Sequence, residues 1–427
     1  MKYCVLGAGP MGLMVAMELL KHGHEVDIFE RDDRIGGMSA SFDFGGLEIE
    51  RYYHFICKTD YPLFELLDEL DLSGKLRWTD TKMGFFYNGK LYKWGTPTAL
   101  LAFDGLDLVS KIRYGLHAMY AKGVKDWRPF DKIKATSWIK KWIGERAYHV
   151  LWRSLFELKL FEHTDEISAA WIGTRIKRVA LSRRSLTQET MGYLEGGSNV
   201  LLEKMEHYIK SRQGRIHLKS GVEEVTIRDN RIESVIVNGV ANTSYDGVIS
   251  TIPLPYIPRI APNLPPSFIE KIQNIKNIPV ACVILKLKHK LSENFWMNIN
   301  DASIEIPGLI EYSNLNPSDT AVVYAPFYMP KTHPKWQQSN DQLIREVLYY
   351  LPRINPAFSQ DWVIDTYCHR YEYAQTICPT GFYDMLPAMK TPVQGFYMAD
   401  TGYYYPEDRS INESIHVAKA LAKAALG

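Results

Sequence analysis

The sequence predicts an α/β chain, α+β overall, and three observations carry that prediction. The first thirty residues read as strand, glycine turn, helix and strand. A tryptophan-rich basic stretch then interrupts this pattern, and the pattern resumes twice further on. Tyr3 to Leu6 is a short β-favouring run, Met11 to Lys21 holds good helix formers, and Val26 to Glu30 is strand-like again. From Gly84 to about Thr190, Trp94, Trp127, Trp138, Trp142, Trp152 and Trp171 occur among many Lys and Arg, and Leu108 to Met119 has helical spacing. This predicts a mostly helical insertion. Leu194 to Arg212 is opened by glycines and then helical, Arg215 to Val237 alternates like a hairpin around Asp229-Asn230, and Asp246 to Ile252 reads as a buried strand. A proline-rich crossover over 253–275 leads to antiparallel strands at 279–289, 305–313 and 320–329. A strand (Phe396 to Ala399), a tyrosine-rich loop and a helix from about Ile411 to Ala425 close the chain.

Three units follow from these boundaries. Residues 1–80, 191–255 and 390–427 form one discontinuous nucleotide-binding domain of Rossmann-like type. Residues 81–190 are the helical insertion, and 256–389 form a substrate domain with an antiparallel sheet.

With 46% hydrophobic and 23% charged positions in 427 residues, disordered, collagen-like and disulfide-scaffold chains are excluded. Fifty basic against forty-nine acidic side chains give no sign of a nucleic-acid partner, and charge alone names no ligand, a small-molecule substrate included. The five cysteines (Cys4, Cys57, Cys282, Cys368 and Cys378) are odd in number and lack C-x-x-C spacing, which predicts a reduced, cytoplasmic protein without a metal site. The apolar opening from Tyr3 to Leu20 is broken by Gly7, Gly9, Pro10 and Gly12, so no membrane span is expected. Residues 97–125 mix apolar, Lys and Arg positions at helix-like spacing, which is compatible with peripheral membrane contact.

Gly7-x-Gly9-x-x-Gly12 follows a strand and opens a helix at Pro10 and Met11. Gly7 makes the turn, Gly9 lets a pyrophosphate approach the backbone, and Gly12 lets helix and strand pack closely. The helix start then offers N–H groups and the positive end of its dipole to phosphate. Glu30, eighteen residues after Gly12, suits both ribose hydroxyls and would repel a 2′-phosphate.

The run Glu30-Arg31-x-x-Arg34-Ile35-Gly36-Gly37, followed by Met38, resembles the extended FAD-binding signature of the amine oxidase, protoporphyrinogen oxidase and phytoene desaturase flavoproteins. The resemblance implies FAD, with the Arg-Gly-Gly segment lying along the diphosphate and flavin. Glu195-Gly196-Gly197 and Val222-Glu223-Glu224-Val225 also look like family segments, and the position matched by Val222 binds adenine through its backbone in that family. Met398-Ala399-Asp400-Thr401 is similar to the strand end that holds the ribityl chain, with Asp400 and Thr401 as the two candidates. Asp408-Arg409-Ser410-Ile411-Asn412 precedes the last helix, whose start lies under the flavin in the family; Ile411 and Asn412 are the expected backbone contacts, and Ser410 or Asp408 the cap.

For the chemistry, His54 resembles a flavin-proximal histidine of the UDP-galactopyranose mutases, and Lys159 falls where relatives often carry lysine. Arg175, Arg370, Tyr371, Tyr373, Tyr403 and Tyr404 are further candidates for a polar and aromatic cage, with Arg370 and Tyr403 expected to act on the substrate. The resemblance implies an FAD-dependent oxidoreductase that moves a hydride from an organic substrate to flavin N5. Two alternatives stay open. One is a non-redox flavoenzyme acting on a nucleotide sugar; the other is a binding protein like the GDP-dissociation inhibitors.

Overall fold

The structure, a computed structural model, describes residues 1–185 and 187–427. Strands Lys2–Leu6, Glu25–Phe29, Arg215–His217, Gly247–Ser250 and Phe396–Met398 form an all-parallel sheet. The first strand lies at its centre, flanked by Glu25–Phe29 and Gly247–Ser250. Such a sheet is buried on both faces, and the side-chain alternation shows it. Tyr3 and Val5 pack with the helices Pro10–Lys21, Asn199–Ser211 and Ile411–Leu426. Cys4 and Leu6 pack on the opposite face with Val225 and Val235, which belong to an antiparallel ribbon of Val222–Arg228, Arg231–Val237 and Val240–Asn242.

A second sheet of seven strands runs in the order Val363–Thr376, Asn277–Leu287, Ala321–Tyr328, Gly308–Glu311, Trp296–Asn300, Met83–Tyr87 and Lys90–Trp94. Along its second strand, Asn277–Leu287, Ala281, Val283 and Leu285 face the helix Asn340–Ile354, while Val280, Cys282 and Ile284 face the parallel-sheet domain. That helix opens with a reciprocal capping box between Ser339 and Gln342.

The last two strands of this sheet correct the start of the segment 81–190, the rest of which is mostly helical. Met83–Tyr87 and Lys90–Trp94 form a hairpin on the substrate-domain sheet, with Asn88 and Gly89 in left-handed conformation between them (φ 48° and 72°). An Asn-Gly pair between β-favouring runs is a hairpin signal, and here it outweighs the aromatic composition that suggested helical core. Helices Leu108–Gly123, Ala135–Ile143 and Ala169–Leu181 supply the helical layer. Buried Trp127, Trp138 and Trp171 fill its core, with the first two edge-to-face at 5.9 Å. Gly173 is obligatory there, because a Cβ would stand 2.0 Å from the Trp127 ring.

Candidate active site

A cavity of about 590 Å³ lies between the carboxyl ends of the parallel strands and the inner face of the second sheet. This is where open α/β sheets bind ligands, and the volume is on the scale of ligand pockets.

Gly9 is the N-cap of Pro10–Lys21 and has no side-chain cap, so the first-turn N–H groups are left for a ligand. A Cβ on Gly9 would meet nothing within 4 Å, whereas one on Gly12 would stand 1.9 Å from the Gly7 carbonyl oxygen. Gly9 therefore opens the cavity, and Gly12 closes the helix onto the turn, where Gly7 has φ +97°. Glu30 is held at the rim: its Oε2 accepts the Ala8 N–H and its Oε1 the Asp32 N–H, both at 2.8 Å. Each oxygen keeps a lone pair for a sugar hydroxyl. Gly7, Gly9, Pro10, Met11, Glu30, Arg31, Gly37, Met38 and Val222 all line this end.

At the other end, Asp400 is buried, and its carboxylate accepts the N–H groups of Leu254 and Gly402 at 2.8 Å. Burial outweighs these donors and pushes its carboxyl up to about 6. Thr401, Arg409 and Ser410 also line the wall. Ser410 caps Ile411–Leu426, its Oγ accepting the Glu413 N–H at 3.1 Å.

Beyond them the cavity is aromatic and cationic. Tyr52, Tyr53, Phe55, Trp296, Tyr328, His369, Tyr371 and Tyr373 line it together with Lys159, Arg178 and Arg259. The Lys159 ammonium sits 5.1 Å from the Tyr328 ring centre and 5.7 Å from that of Trp171. Burial lowers it to about 7, with Asp408 offsetting only part of the cost. Arg409 Nη2 donates to the Tyr328 hydroxyl at 3.3 Å, and its Nε is buried without a partner among the described residues. Arg175 Nη2 donates to Asp408 Oδ1 at 2.6 Å. Burial opposes ionisation of Asp408, but Arg175, Lys159 and Arg409 overcome it and hold the carboxyl well below the usual carboxylate range. One carboxylate thus faces three cations. His54 lines the same wall, its Nδ1 2.5 Å from Glu50 Oε2 and its Nε2 3.3 Å from Ser39 Oγ.

Seven expected site residues stand elsewhere, and Arg175 reaches the cavity only through Asp408. Gly12 and Gly36 shape the backbone behind the cavity: Gly36 has φ +107°, and its Cβ would stand 2.7 Å from Leu202. Arg34 pairs with Asp33 and donates to the Ser41 carbonyl at 3.0 Å, so it braces its own loop. Ile411 and Asn412 border a small adjoining pocket with His54 and Phe55, and Asn412 Oδ1 accepts the Leu63 N–H. Tyr403 turns away to donate to the Pro387 carbonyl at 2.9 Å, leaving Tyr404 on the cavity wall. Arg370 points to the outer face of its sheet, where it binds the carbonyls of Trp336 and Gln338. The strand period is the reason: His369, Tyr371 and Tyr373 face in, so Arg370 faces out.

Several lining groups were missed from sequence. Tyr52, Tyr53 and Phe55 flank His54 and were within reach of that motif. Arg178 was legible as two helical turns from Trp171, but Trp296, Tyr328 and His369 reach the site only through sheet pairing.

The residues present fit FAD. The open Gly9 cradle, the uncapped helix start and Glu30 suit a dinucleotide. Fold and site together define a flavoprotein of the dinucleotide-binding α/β class. The profile described as flavin containing amine oxidoreductase matches residues 12–413, and the chain belongs to that family.

The zeta-carotene desaturase of Arabidopsis thaliana is 24% identical over 96% of this chain and 82% of that protein. Other zeta-carotene desaturases are matched over 66% and 55% of their length. Among solved structures, reduced UDP-galactopyranose mutase is similar at TM-score 0.77 and 17% identity, covering all of this chain and 95% of that one. Putrescine oxidase bound to putrescine is similar at TM-score 0.72 and 17% identity, covering 100% and 99%. These two likenesses are of fold. The protein is an FAD-dependent oxidoreductase. No helix among the described residues is long and apolar enough to cross a membrane.

Proposed function

We propose that the enzyme oxidises a polar organic substrate that carries an anionic group, with Lys159 and Arg409 as the anchor of that group. The observation that carries this reading is the excess of cations around Asp408 at the aromatic end of the cavity. An apolar polyene of the kind named in the desaturase relatives would leave these charges buried and uncompensated, at a substantial cost.

FAD, when bound, supplies a two-electron acceptor at flavin N5. The N–H groups at the start of Pro10–Lys21 would hold its diphosphate, Glu30 a ribose, the Val222 backbone the adenine, and Asp400 or Thr401 the ribityl chain. The start of Ile411–Leu426 would favour negative charge on a flavin pyrimidine beside it. Lys159 and Arg409 orient the substrate, Tyr53, Phe55, Trp296 and Tyr328 exclude water, and His54, oriented by Glu50, takes a proton from the reacting group. Five buried, unpaired thiols support a reducing compartment such as the cytoplasm.

The same cations favour one second reading, a non-redox reaction on a nucleotide sugar, whose phosphates they would bind. Anaerobic mixing with candidate substrates separates the two. Bleaching of the flavin band by an anionic donor, with no reductant added, supports oxidation. Turnover only after prior reduction, with no acceptor consumed, supports the sugar reaction and overturns the first.

A further inference from the structure

The helix Leu108–Gly123 is inverted for a helix of a water-surrounded protein. Its large apolar residues Leu108, Val109, Ile112, Leu116, Met119 and Tyr120 face outward, each 42% to 72% exposed. The side facing the protein carries Ser110, His117 and Ala121, all buried. Spacings of three and four residues place the exposed set on one stripe. Leu101, 59% exposed on the preceding helix Pro97–Ala102, extends it: Lys111 Nζ donates to the Leu101 carbonyl at 2.7 Å and ties the two helices together. A contiguous apolar patch of this kind marks an interaction surface.

The charge around the stripe identifies its partner. Residues 90–146 hold twelve Lys and Arg against five Asp and Glu, in a chain that holds fifty against forty-nine. Lys122 and Lys125 are exposed at the end of the helix. Arg113 donates to the carbonyls of Lys141 and Trp142, which brings exposed Lys141 alongside. An apolar stripe with a basic rim matches an interface of acyl chains below anionic headgroups. A second copy would bring an equally basic rim against the first, and the two would repel.

We propose that this face docks the enzyme on the surface of an anionic lipid bilayer, with the helix lying flat and its apolar side chains entering the headgroup boundary. Sixteen residues give a contact about 24 Å long, along the surface and not across the membrane. The inner side of this helix packs on Ala169–Leu181, which carries Arg178 to the cavity wall, so the docking face lies one helix away from the active site.

The test uses the full-length, FAD-loaded enzyme in vesicle flotation, with phosphatidylcholine alone and with about one third phosphatidylglycerol. Binding is expected at least tenfold tighter on the anionic vesicles, and weaker as salt is raised. The triple variant Ile112→Gln, Leu116→Gln, Met119→Gln is expected to lose at least tenfold in binding while its FAD content and Tm match the parent. Lys122→Glu with Lys125→Glu is expected to weaken binding to anionic vesicles only. Failure to float with anionic vesicles, equal binding by the triple variant, or indifference to salt would each overturn the proposal. A concentration-dependent dimer that the triple variant abolishes would overturn it too, by assigning the stripe to a second copy.

Discussion

Glu50 holds His54 across one short segment: its Oε2 lies 2.5 Å from the imidazole Nδ1, while its Oε1 accepts the Ser198 N–H at 2.9 Å and its own carbonyl accepts the Tyr324 hydroxyl at 2.8 Å. One buried carboxylate residue thereby ties the histidine to the parallel-sheet domain and to the second sheet. A histidine fixed at Nδ1 presents Nε2 in a set direction, as a group that moves a proton requires.

His54→Ala is expected to keep FAD and to slow flavin reduction by substrate at least tenfold, read by anaerobic stopped flow. Glu50→Gln, which keeps a hydrogen-bond partner for the ring, should fall between the two. Unchanged reduction in His54→Ala would return the residue to a packing role.

The last two glycines of the fingerprint should fail in different ways. Gly9 has a backbone that any residue adopts (φ −70°, ψ 173°), and its Cβ direction is empty, so Gly9→Val should fold with a near-parental Tm and lose FAD. Gly12→Val drives a side chain into the Gly7 carbonyl and should cost several kcal/mol of stability. The flavin-to-protein absorbance ratio and a thermal melt on each variant check both.

Lys159 gives the anchor a pH dependence. With its ammonium lowered to about 7, the charge is present below that value and lost as pH rises through it. Affinity for an anionic ligand is expected to fall up to tenfold per pH unit above about 7, until the remaining cations carry it. Lys159→Met should bind weakly at every pH, and Lys159→Arg should hold its affinity to higher pH. Folding linkage has a matching sign: the cost of burying the charged lysine is largest below pH 7 and fades toward 10.5. Lys159→Met should therefore raise Tm more at pH 6 than at pH 9.

Arg178 and Asp60 form a buried pair at 2.9 Å, and Asp60 also accepts the Cys57 N–H. Arg178→Met leaves that carboxylate unpaired and should cost about 3–5 kcal/mol in denaturant unfolding. Adding Asp60→Asn removes the stranded charge and should return part of the loss.

Glu189 is buried, with Oε2 unpartnered among the described residues, and burial pushes its carboxyl up to about 7. A folded pKa above the unfolded value means that its favourable contribution is full below about 4.5 and is lost as pH rises through about 7. The parent should lose roughly 3 kcal/mol from this group over that window, and Glu189→Gln should flatten the slope of Tm against pH.

The dinucleotide end was legible in the sequence because its chemistry is local. Gly7, Gly9, Gly12 and Glu30 lie within one strand, turn, helix and strand, where spacing alone dictates which atoms meet. The substrate end was legible only in fragments. Twenty-six tyrosines and fifty cations make single candidates ambiguous, and which of them turn inward depends on strand register. One step along Val363–Thr376 separates inward His369 from outward Arg370, and a carbonyl of the loop after Met385 draws Tyr403 away while Tyr404 stays. By itself, the sequence determined the strand, turn, helix and strand of the dinucleotide motif, the family and the cofactor, since the motif that carries them joins near neighbours. Only the tertiary structure decided the cationic cluster around Asp408 and the outward apolar face of Leu108–Gly123, since both arise from which side chains distant segments leave covered or exposed.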